Sequence, residues 1–494
     1  MKLPTLTAIL LLTLSLAAHG APQTPPPAGT PEAAPTADGT PEATVTEPHP
    51  PKEGNVTAPA PAENVTIADP QPVPVTPVAP ATAPFVPALD LPAAPAGSVL
   101  ELAPGWKLKL SGYARLNVVY VSDEMFSIDS PAYVIKKAPG AFNENNSGLA
   151  FGARDSRLRF CLTGPKAWDF DPSAVIEVDF FGNLPNSGTS IVQGELRMRL
   201  AYAEMKKGNL VLRFGNDWIV AAPQFMTNFD PFNGWAQGNL WARVPQAKVL
   251  YNHHLDQDFR IETGFMVGQS LAGDNPRSTQ LRNTGAGESS QLPMVQGRLG
   301  LGFKIGNADF STLGISGSYQ RFDFRGSSLV PTQGEYDALA ALGHDTMDSW
   351  FVAVDGQVKW KLANVNFQLT GEYHIGQATG MFWGGILTSY QFTKVDDLVT
   401  DVTPTKSIGY FGDLKVTFPC GVWAFAGAGR NVVDEDDIVL AGTPVTNTYL
   451  YGGLALNKGP MTFGLSGGYL RTEYIQTEDP STGFTITGFT GITF

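Results

Sequence analysis

From Lys107 to Phe494 the chain alternates apolar and polar residues at a period of two, segment after segment, and this restricts it to antiparallel sheet with one dry face and one wet face. In the first segment Leu108, Leu110, Leu116, Val118 and Tyr120 share a face with Gly112 and Ala114, while Lys107, Lys109, Ser111, Tyr113, Arg115 and Asn117 share the other. Similar segments follow at about 156–163, 173–182, 194–206, 209–219, 246–252, 259–269, 294–306, 308–324, 349–361, 364–377, 405–418, 421–431, 446–457, 460–475 and 483–494. Their connections alternate in length. Long links follow the first, fifth, seventh, ninth and eleventh segments, whereas Lys207-Gly208, Gly306-Asn307, Leu362-Ala363, Pro419-Cys420 and Lys458-Gly459 mark tight turns. A sandwich of two sheets gives loop length no reason to follow strand parity; a membrane barrel with both termini on one side does. The expected fold is all-β: a sixteen-stranded antiparallel transmembrane β-barrel over 105–494.

The residues before it form a different polymer. Met1 and Lys2, an apolar run from Leu3 to Ala17 and the small-x-small Ala18-His19-Gly20 read as a secretory signal over 1–20. The run is short of the ~20 residues a spanning helix needs, and no later stretch is long and apolar enough, so a membrane-inserted chain must close a barrel. Residues 21–100 hold 21 of the 39 prolines, with eight acids against one lysine. Gly29-Thr30-Pro31-Glu32-Ala33 recurs as Gly39-Thr40-Pro41-Glu42-Ala43. Such a chain builds no core, and 21–104 is expected to be a disordered Pro/Ala/Thr-rich periplasmic tether, either a plain spacer or an arm reaching the cell wall. Neither part is basic, which argues against nucleic acid as a partner.

One segment supplies a dimension. Trp350, Val352, Val354, Gly356, Val358 and Trp360 share a face. Ten steps at ~3.3 Å and ~45° tilt cover about 23 Å along a membrane normal, close to the ~25 Å apolar band between aromatic girdles. Opposite them Asp355, Gln357, Lys359 and Lys361 would face water.

The charges fall on the wet face. Arg157 and Arg159 oppose Leu158 and Phe160, Arg197 and Arg199 oppose Leu196, Met198 and Leu200, and Arg213 lies between Leu212 and Phe214. A lipid-facing arginine at mid-membrane costs about 2–4 kcal/mol, so these arginines, with Arg115, are expected to line a watery lumen as a cationic ladder. Glu177, Asp179 and Glu195 are the acidic candidates beside them. Two roles are open: a transverse field that guides charged solutes and favours anions, or mutual neutralisation that stiffens the wall. The link from Ala221 to Arg243 carries Phe225, Phe229, Phe232, Trp235 and Trp241 with Asp230. So many aromatics must pack, inward against the barrel or onto a neighbouring subunit; inward packing would narrow the channel and set Asp230 opposite the arginines.

The run Arg154-Asp155-Ser156-Arg157-Leu158-Arg159-Phe160 with Gly164, the strand Ala174 to Phe180, Leu200-Ala201-Tyr202-Ala203-Glu204 and Phe214-Gly215-Asn216-Asp217-Trp218 resemble strands two to five of the sixteen-stranded porins of Gram-negative outer membranes, DcaP-like and other anion-preferring members above all. The terminal Phe494, with Ile492 two residues before it, resembles the signal by which outer-membrane barrels are recognised for insertion. The resemblance covers about 105–494 and is specific between about 150 and 245. It implies a homotrimer of water-filled pores in outer-membrane lipid and lipopolysaccharide, with the third outer loop folded into each lumen. The proline-rich arm departs from the family, whose DcaP-like members carry a helical segment there.

Little else carries chemistry. His253-His254 fall in an expected inner turn and His374 beside Glu372 on a wet face, all read as solvated. Two cysteines without CxxC or Cys/His clusters give no common zinc site, and Cys161 and Cys420 lie too far apart around a barrel to bridge. No nucleophile-elbow motif points to a hydrolase. No cofactor, metal or catalytic residue is expected. The sequence therefore reads as an outer-membrane porin passing small hydrophilic solutes by diffusion, with anionic solutes as the candidates; the alternative is a structural or adhesive surface barrel tied to the cell wall.

Overall fold

The computed structural model describes residues 99–137, 140, 146–182, 194–271, 285–325, 330, 332–386, 388–395, 398–477 and 479–494. The signal, and the tether up to residue 98, lie outside them. In chain order the strands are β1 (Val99–Ala103), β2 (Trp106–Val121), β3 (Gly148–Gly152), β4 (Arg157–Thr163), β5 (Asp171–Asp179), β6 (Arg197–Lys207), β7 (Leu210–Trp218), β8 (Arg243–His254), β9 (Phe259–Gly268) and β10 (Met294–Phe303). Then come β11 (Ser311–Asp323), β12 (Thr346–Leu362), β13 (Val365–Gln377), β14 (Tyr390–Val395), β15 (Leu398–Pro404), β16 (Lys406–Thr417), β17 (Val422–Val433), β18 (Pro444–Lys458), β19 (Met461–Tyr474) and β20 (Ser481–Thr493).

Each wall strand pairs antiparallel with its neighbours, and β20 pairs back onto β2 from Tyr113↔Thr493 to Val121↔Thr485, which closes the cylinder. Gly112 and Phe494 exchange backbone hydrogen bonds at 2.9 and 3.0 Å, so the C-terminal residue sits in the seam. Sixteen staves result, as the alternation predicts. The second is split: β3 and β4 both pair with β2, and the buried Arg154 and Asp155 break the period between them. Val99–Ala103, in the stretch read as tether, instead pairs with β2 below the seam, with Glu101 opposite Lys107.

The two faces of the wall differ as lipid and water require. Leu299, Ile315 and Val354 are directly paired on β10, β11 and β12, and all three are exposed on the outside. Leu116, Phe160, Ile176, Phe214, Phe265, Ile375 and Leu454 continue this apolar coat. Trp350 is exposed on it, and Trp360 stacks on its cross-strand neighbour Phe367 at 5.3 Å between centroids. Inside, Asn117, Gln296, Ser316, Thr370, Asn431 and Asn447 are buried polar residues.

The two ends differ too. At one end strands meet in tight turns, with Gly208 and Gly459 at φ +56° and +57°. The other end carries the long loops. There the helix Gln333–Leu342, capped by Thr332 and ended by Gly343, packs with the β14–β15 hairpin over a small core of Phe322, Phe324, Leu339, Met347, Val399 and Val402. Replacing Ile315 by Arg should cost about 2–4 kcal/mol of folding stability in a bilayer, measured by urea titration of vesicle-folded protein; an unchanged midpoint would mean that this face does not meet lipid.

Candidate functional site

The site grows from the register of β4–β7. Arg159 is paired with Glu177 and Asp179 with Arg197, so cations and anions interleave across the inner face. Between Glu177 and Val178 the register slips, and one extra residue, Arg199, is left without an opposite number on β5. The bulge turns both Arg199 and Leu200 inward. Arg199 then reaches Glu177 at 2.9 Å and Asp179 at 2.8 Å, and Arg197 holds the same Asp179 at 2.6 Å. Arg157 and Arg159 lie 3.7 and 3.8 Å from Glu177. Arg213 binds Glu204 at 2.6 Å and Asp217 at 3.0 Å, with Lys248 on the other side of Asp217 at 2.7 Å. Arg115, on the neighbouring β2, pairs with Asp155 at 3.1 Å and lies over the ring of Phe489 across the seam.

The ladder expected from sequence is thus brought together, but its members do not share one environment. Arg157, Arg199 and Arg213 are buried, whereas the side chain of Arg159 is 29% exposed and those of Arg115 and Arg197 are half-buried. A buried guanidinium holds its place when acids and hydrogen bonds replace its water; Arg199 and Arg213 have both, whereas Arg157 has Glu177 and Asp155 at 3.7 and 3.8 Å and no hydrogen-bond partner for its Nε. Glu195 stands apart from the set: it is exposed near the loop end, where its backbone carbonyl accepts from Gly182. The sequence reading passed over Arg298, which bridges Glu262 at 3.2 Å and Asp355 at 2.7 Å on the facing wall. It also passed over Arg243, set over the Trp218 and Trp241 rings. Their inward parity was the available signal.

The third long loop, between β7 and β8, crosses the lumen. Its backbone is fastened to the far wall one strand at a time. Gln296 accepts from Val220 and Ala221, Ser316 from Ala222, and Glu372 from Leu240, at 3.0–3.2 Å. Asp413 accepts from Thr227 N at 2.9 Å and Thr227 Oγ1 at 2.7 Å. Phe229 is enclosed by Trp423, Phe425 and Phe489. Two other loops lock onto it. Asn447 donates to Ala132 and Ala236 together, and the backbones of Trp241 and Trp383 meet at 3.0 Å. A side chain at Gly384 would collide with the Asn239 carbonyl, so only glycine lets these two loops pass. The rings of Phe232, Trp235, Trp241 and Trp383 fill the crossing.

Two expectations are corrected here, and one open choice is resolved. Asp230 does not face the arginines: it accepts from Ser130 Oγ and from the backbone of Phe232 and Gly234, closing its own turn. Burial pushes its carboxyl above the usual range although these three donors pull it down. His374 is not solvated but fully buried, because the folded-in loops cover the wet face of β13. The link from Ala221 to Arg243 packs inward, which settles the choice between lumen and neighbour for that loop. Cys161 and Cys420 are both free thiols. Among the described residues no cluster of three or more His, Cys, Asp or Glu could hold a metal ion.

Open space remains beside the loop. One region of about 400 Å³ lies between Asn117, Asp129, Asp230, Tyr449, Ser466 and Thr485, and a second of about 260 Å³ shares Asn117, Val119 and Asp129 with it. A third of about 450 Å³ lies on the other side, against Trp218, Lys248, Glu262 and Arg298.

No protein-family model matches the sequence, and no curated protein matches it. Among solved structures the outer membrane channel DcaP of Acinetobacter baumannii aligns over 81% of this chain and 100% of its own, with TM-score 0.58 at 15% identity. The chain has the fold of DcaP. An anion-selective porin from Comamonas acidovorans and OmpT of Vibrio cholerae align over 79% and 80% of the chain and all of their own, each at 11% identity and TM-score 0.46. At the level of the fold, the DcaP likeness agrees with the resemblance carried by Arg154 to Phe160 and the strands after it.

Removing Asp413 strands the Thr227 donors. The Asp413→Ala variant should lose about 1–3 kcal/mol of loop anchoring and gain proteolytic cleavage between 219 and 242; a loop that stays protected would show that the other anchors suffice.

Proposed function

We propose that this protein is an outer-membrane diffusion channel: small hydrophilic solutes cross the barrel down their gradient, with no covalent chemistry, cofactor or metal. The observation that carries the reading is the contrast between the two sides of one closed wall, apolar outside and lined inside by ion pairs and hydroxyls, with a loop tied across the lumen by side chains of β2, β10, β11, β12, β13, β16 and β18. A loop fastened in this way narrows a passage to set positions, which is what a size filter needs. Arg115, Arg159 and Arg197 are the ladder members with water-facing surface, so they meet passing solutes with Glu177 and Asp179 as their counter-charges; Arg157, Arg199 and Arg213 hold the wall. Glu195 and Asp230 act at the loop end and in the crossing loop.

The loop end faces outward and the turn end the periplasm, where a secreted chain would leave its N-terminal arm, within reach of the cell wall. A homotrimer is proposed on the depth of the wall. It is shallow at β4–β7, with strands of 7, 9, 11 and 9 residues against 17 in β12, and copies packed through the shallow side would shield it from lipid. Unboiled detergent-extracted protein should migrate as a heat-modifiable, trypsin-resistant trimer; a single monomer band at every temperature rejects that assembly. In planar bilayers the protein should give discrete ohmic conductance steps. A correctly folded barrel that passes no current would reject the channel and favour the adhesive reading.

A further inference from the structure

Near the loop end, the lipid-facing side of the wall from β16 to β20 carries cations. A single cross-strand row runs Tyr410, Arg430, Thr448, Arg471 and Thr482, each paired directly with the next. The direction of Arg430 is fixed by its neighbours: Gly429 and Asn431 meet the loops inside the barrel, and Tyr410 opposite it is exposed outside. Arg471 lies likewise between the buried Leu470 and Thr472, and its side chain is 46% exposed. Among the described residues Arg430 makes no ion pair, and its Nε is buried without a hydrogen-bond partner. Arg471 pairs with Glu473 at 3.0 Å. Arg321, an outward arginine of β11, is placed differently, because Asp348 holds its Nε at 2.7 Å and its Nη2 at 3.2 Å.

A lipid-facing arginine is costly at the bilayer midplane and nearly neutral at its edge. β17 ends at Val433 and β19 at Tyr474, which sets both arginines roughly 7 Å inside the loop end of the wall at ~3.3 Å per residue and ~45° tilt. That is headgroup depth, where the exposed Tyr410 and Tyr469 form part of an aromatic girdle. The two arginine backbones are two strand spacings apart, about 10 Å, so their guanidinium groups can close on one tetrahedral anion over Thr448. Below Arg430 the outer face of β17 is Ala428, Ala426 and Ala424, flanked by the exposed Leu414 of β16 and Leu450 and Leu454 of β18. The small residues leave a shallow trench that runs from the arginine toward mid-membrane. A cationic head above an apolar trench complements a lipid whose phosphate tops its acyl chains. Nearby acids leave the place open: Glu473 pairs with Arg471, and of Asp434 to Asp437, beyond the end of β17, Asp437 is taken up by Lys406 at 3.5 Å.

We infer that Arg430, Thr448 and Arg471 on the outside of the barrel bind the phosphate of a phosphorylated outer-leaflet glycolipid, with one of its acyl chains lying along the alanine trench of β17. Arg430 supplies a guanidinium fork that no acid of the described residues engages, Arg471 a second one shared with Glu473, and Thr448 a hydroxyl donor between them. This rests on the outer-membrane channel reading, which puts the loop end in the outer leaflet. The site lies outside β4–β7, the side proposed for trimer packing, and stays open to lipid in that assembly. It faces away from the lumen, so binding there leaves conduction alone.

The test is native mass spectrometry of the full-length protein in detergent, titrated with lipid A bearing its phosphates, with lipid A stripped of them, and with inorganic phosphate. The wild type should bind phosphorylated lipid A, and Arg430→Gln should weaken that binding about tenfold or more. Ala426→Trp, which fills the trench and keeps every charge, should weaken it as well, Arg430→Lys should recover part of the affinity, and Arg321→Gln should leave it unchanged. Heat-modifiable mobility reports that each variant is folded. Equal binding of the stripped lipid, capture of inorganic phosphate in place of the lipid, or wild-type affinity in Arg430→Gln overturns the inference. Planar-bilayer conductance keeps the two readings apart: a protein that conducts but binds no phosphorylated lipid sinks this site alone, and one that binds it but passes no current sinks the channel reading alone.

Discussion

Closure of the sheet is the constraint on which the rest depends. Inside a bilayer no water is available for an edge strand's N–H and C=O groups, so a spanning sheet must pair its last strand with its first. Here β20 meets β2 over nine residue pairs, and Phe494 completes the seam through Gly112. Once the cylinder is shut, the two-residue period of every strand sorts side chains between lipid and lumen without further choice. The apolar row of Leu299, Ile315 and Val354 and the buried polar row opposite it follow from one geometric fact.

A closed lumen creates its own problem, because charges placed on its wall by parity lose water wherever a loop covers them. The structure resolves this by interleaving. Glu177 and Asp179 stand between the arginines of β4 and β6, and the slip at Arg199 adds one more guanidinium to the same two carboxylates. On the far wall Gln296, Ser316, Glu372 and Asp413 are used differently, as acceptors for the backbone of the crossing loop. One half of the wall thus satisfies itself, and the other half, beside its own Arg298 bridge to Glu262 and Asp355, satisfies the loop.

Much of this was legible in the chain. The sixteen staves, the tight turns at Gly208 and Gly459, the inward arginines and the paired acids all follow from alternation, which is local and survives any error in strand boundaries. What was not legible depends on contact between distant segments. Nothing around Asp230 announces that it will close its own turn with help from Ser130, one hundred residues away. His374 reads as wet by parity and is dry by tertiary packing. The short strand Val99–Ala103 hid in a proline-rich region because five alternating residues are too few to stand out until they find β2.

The sequence by itself determined the class of fold, the sense in which each strand faces and which loops are long, because these depend only on periodicity and on the cost of putting charge or unpaired backbone in lipid. Tertiary structure alone decided which arginines are buried and which meet water, how three loops meet across the lumen through Gly384 and Asn447, and which carboxylates anchor backbone rather than pair with cations. The physical reason is that burial and partnership inside a barrel are set by what crosses the lumen from the opposite wall, and no local pattern in one strand encodes its distance from a loop a hundred or more residues away.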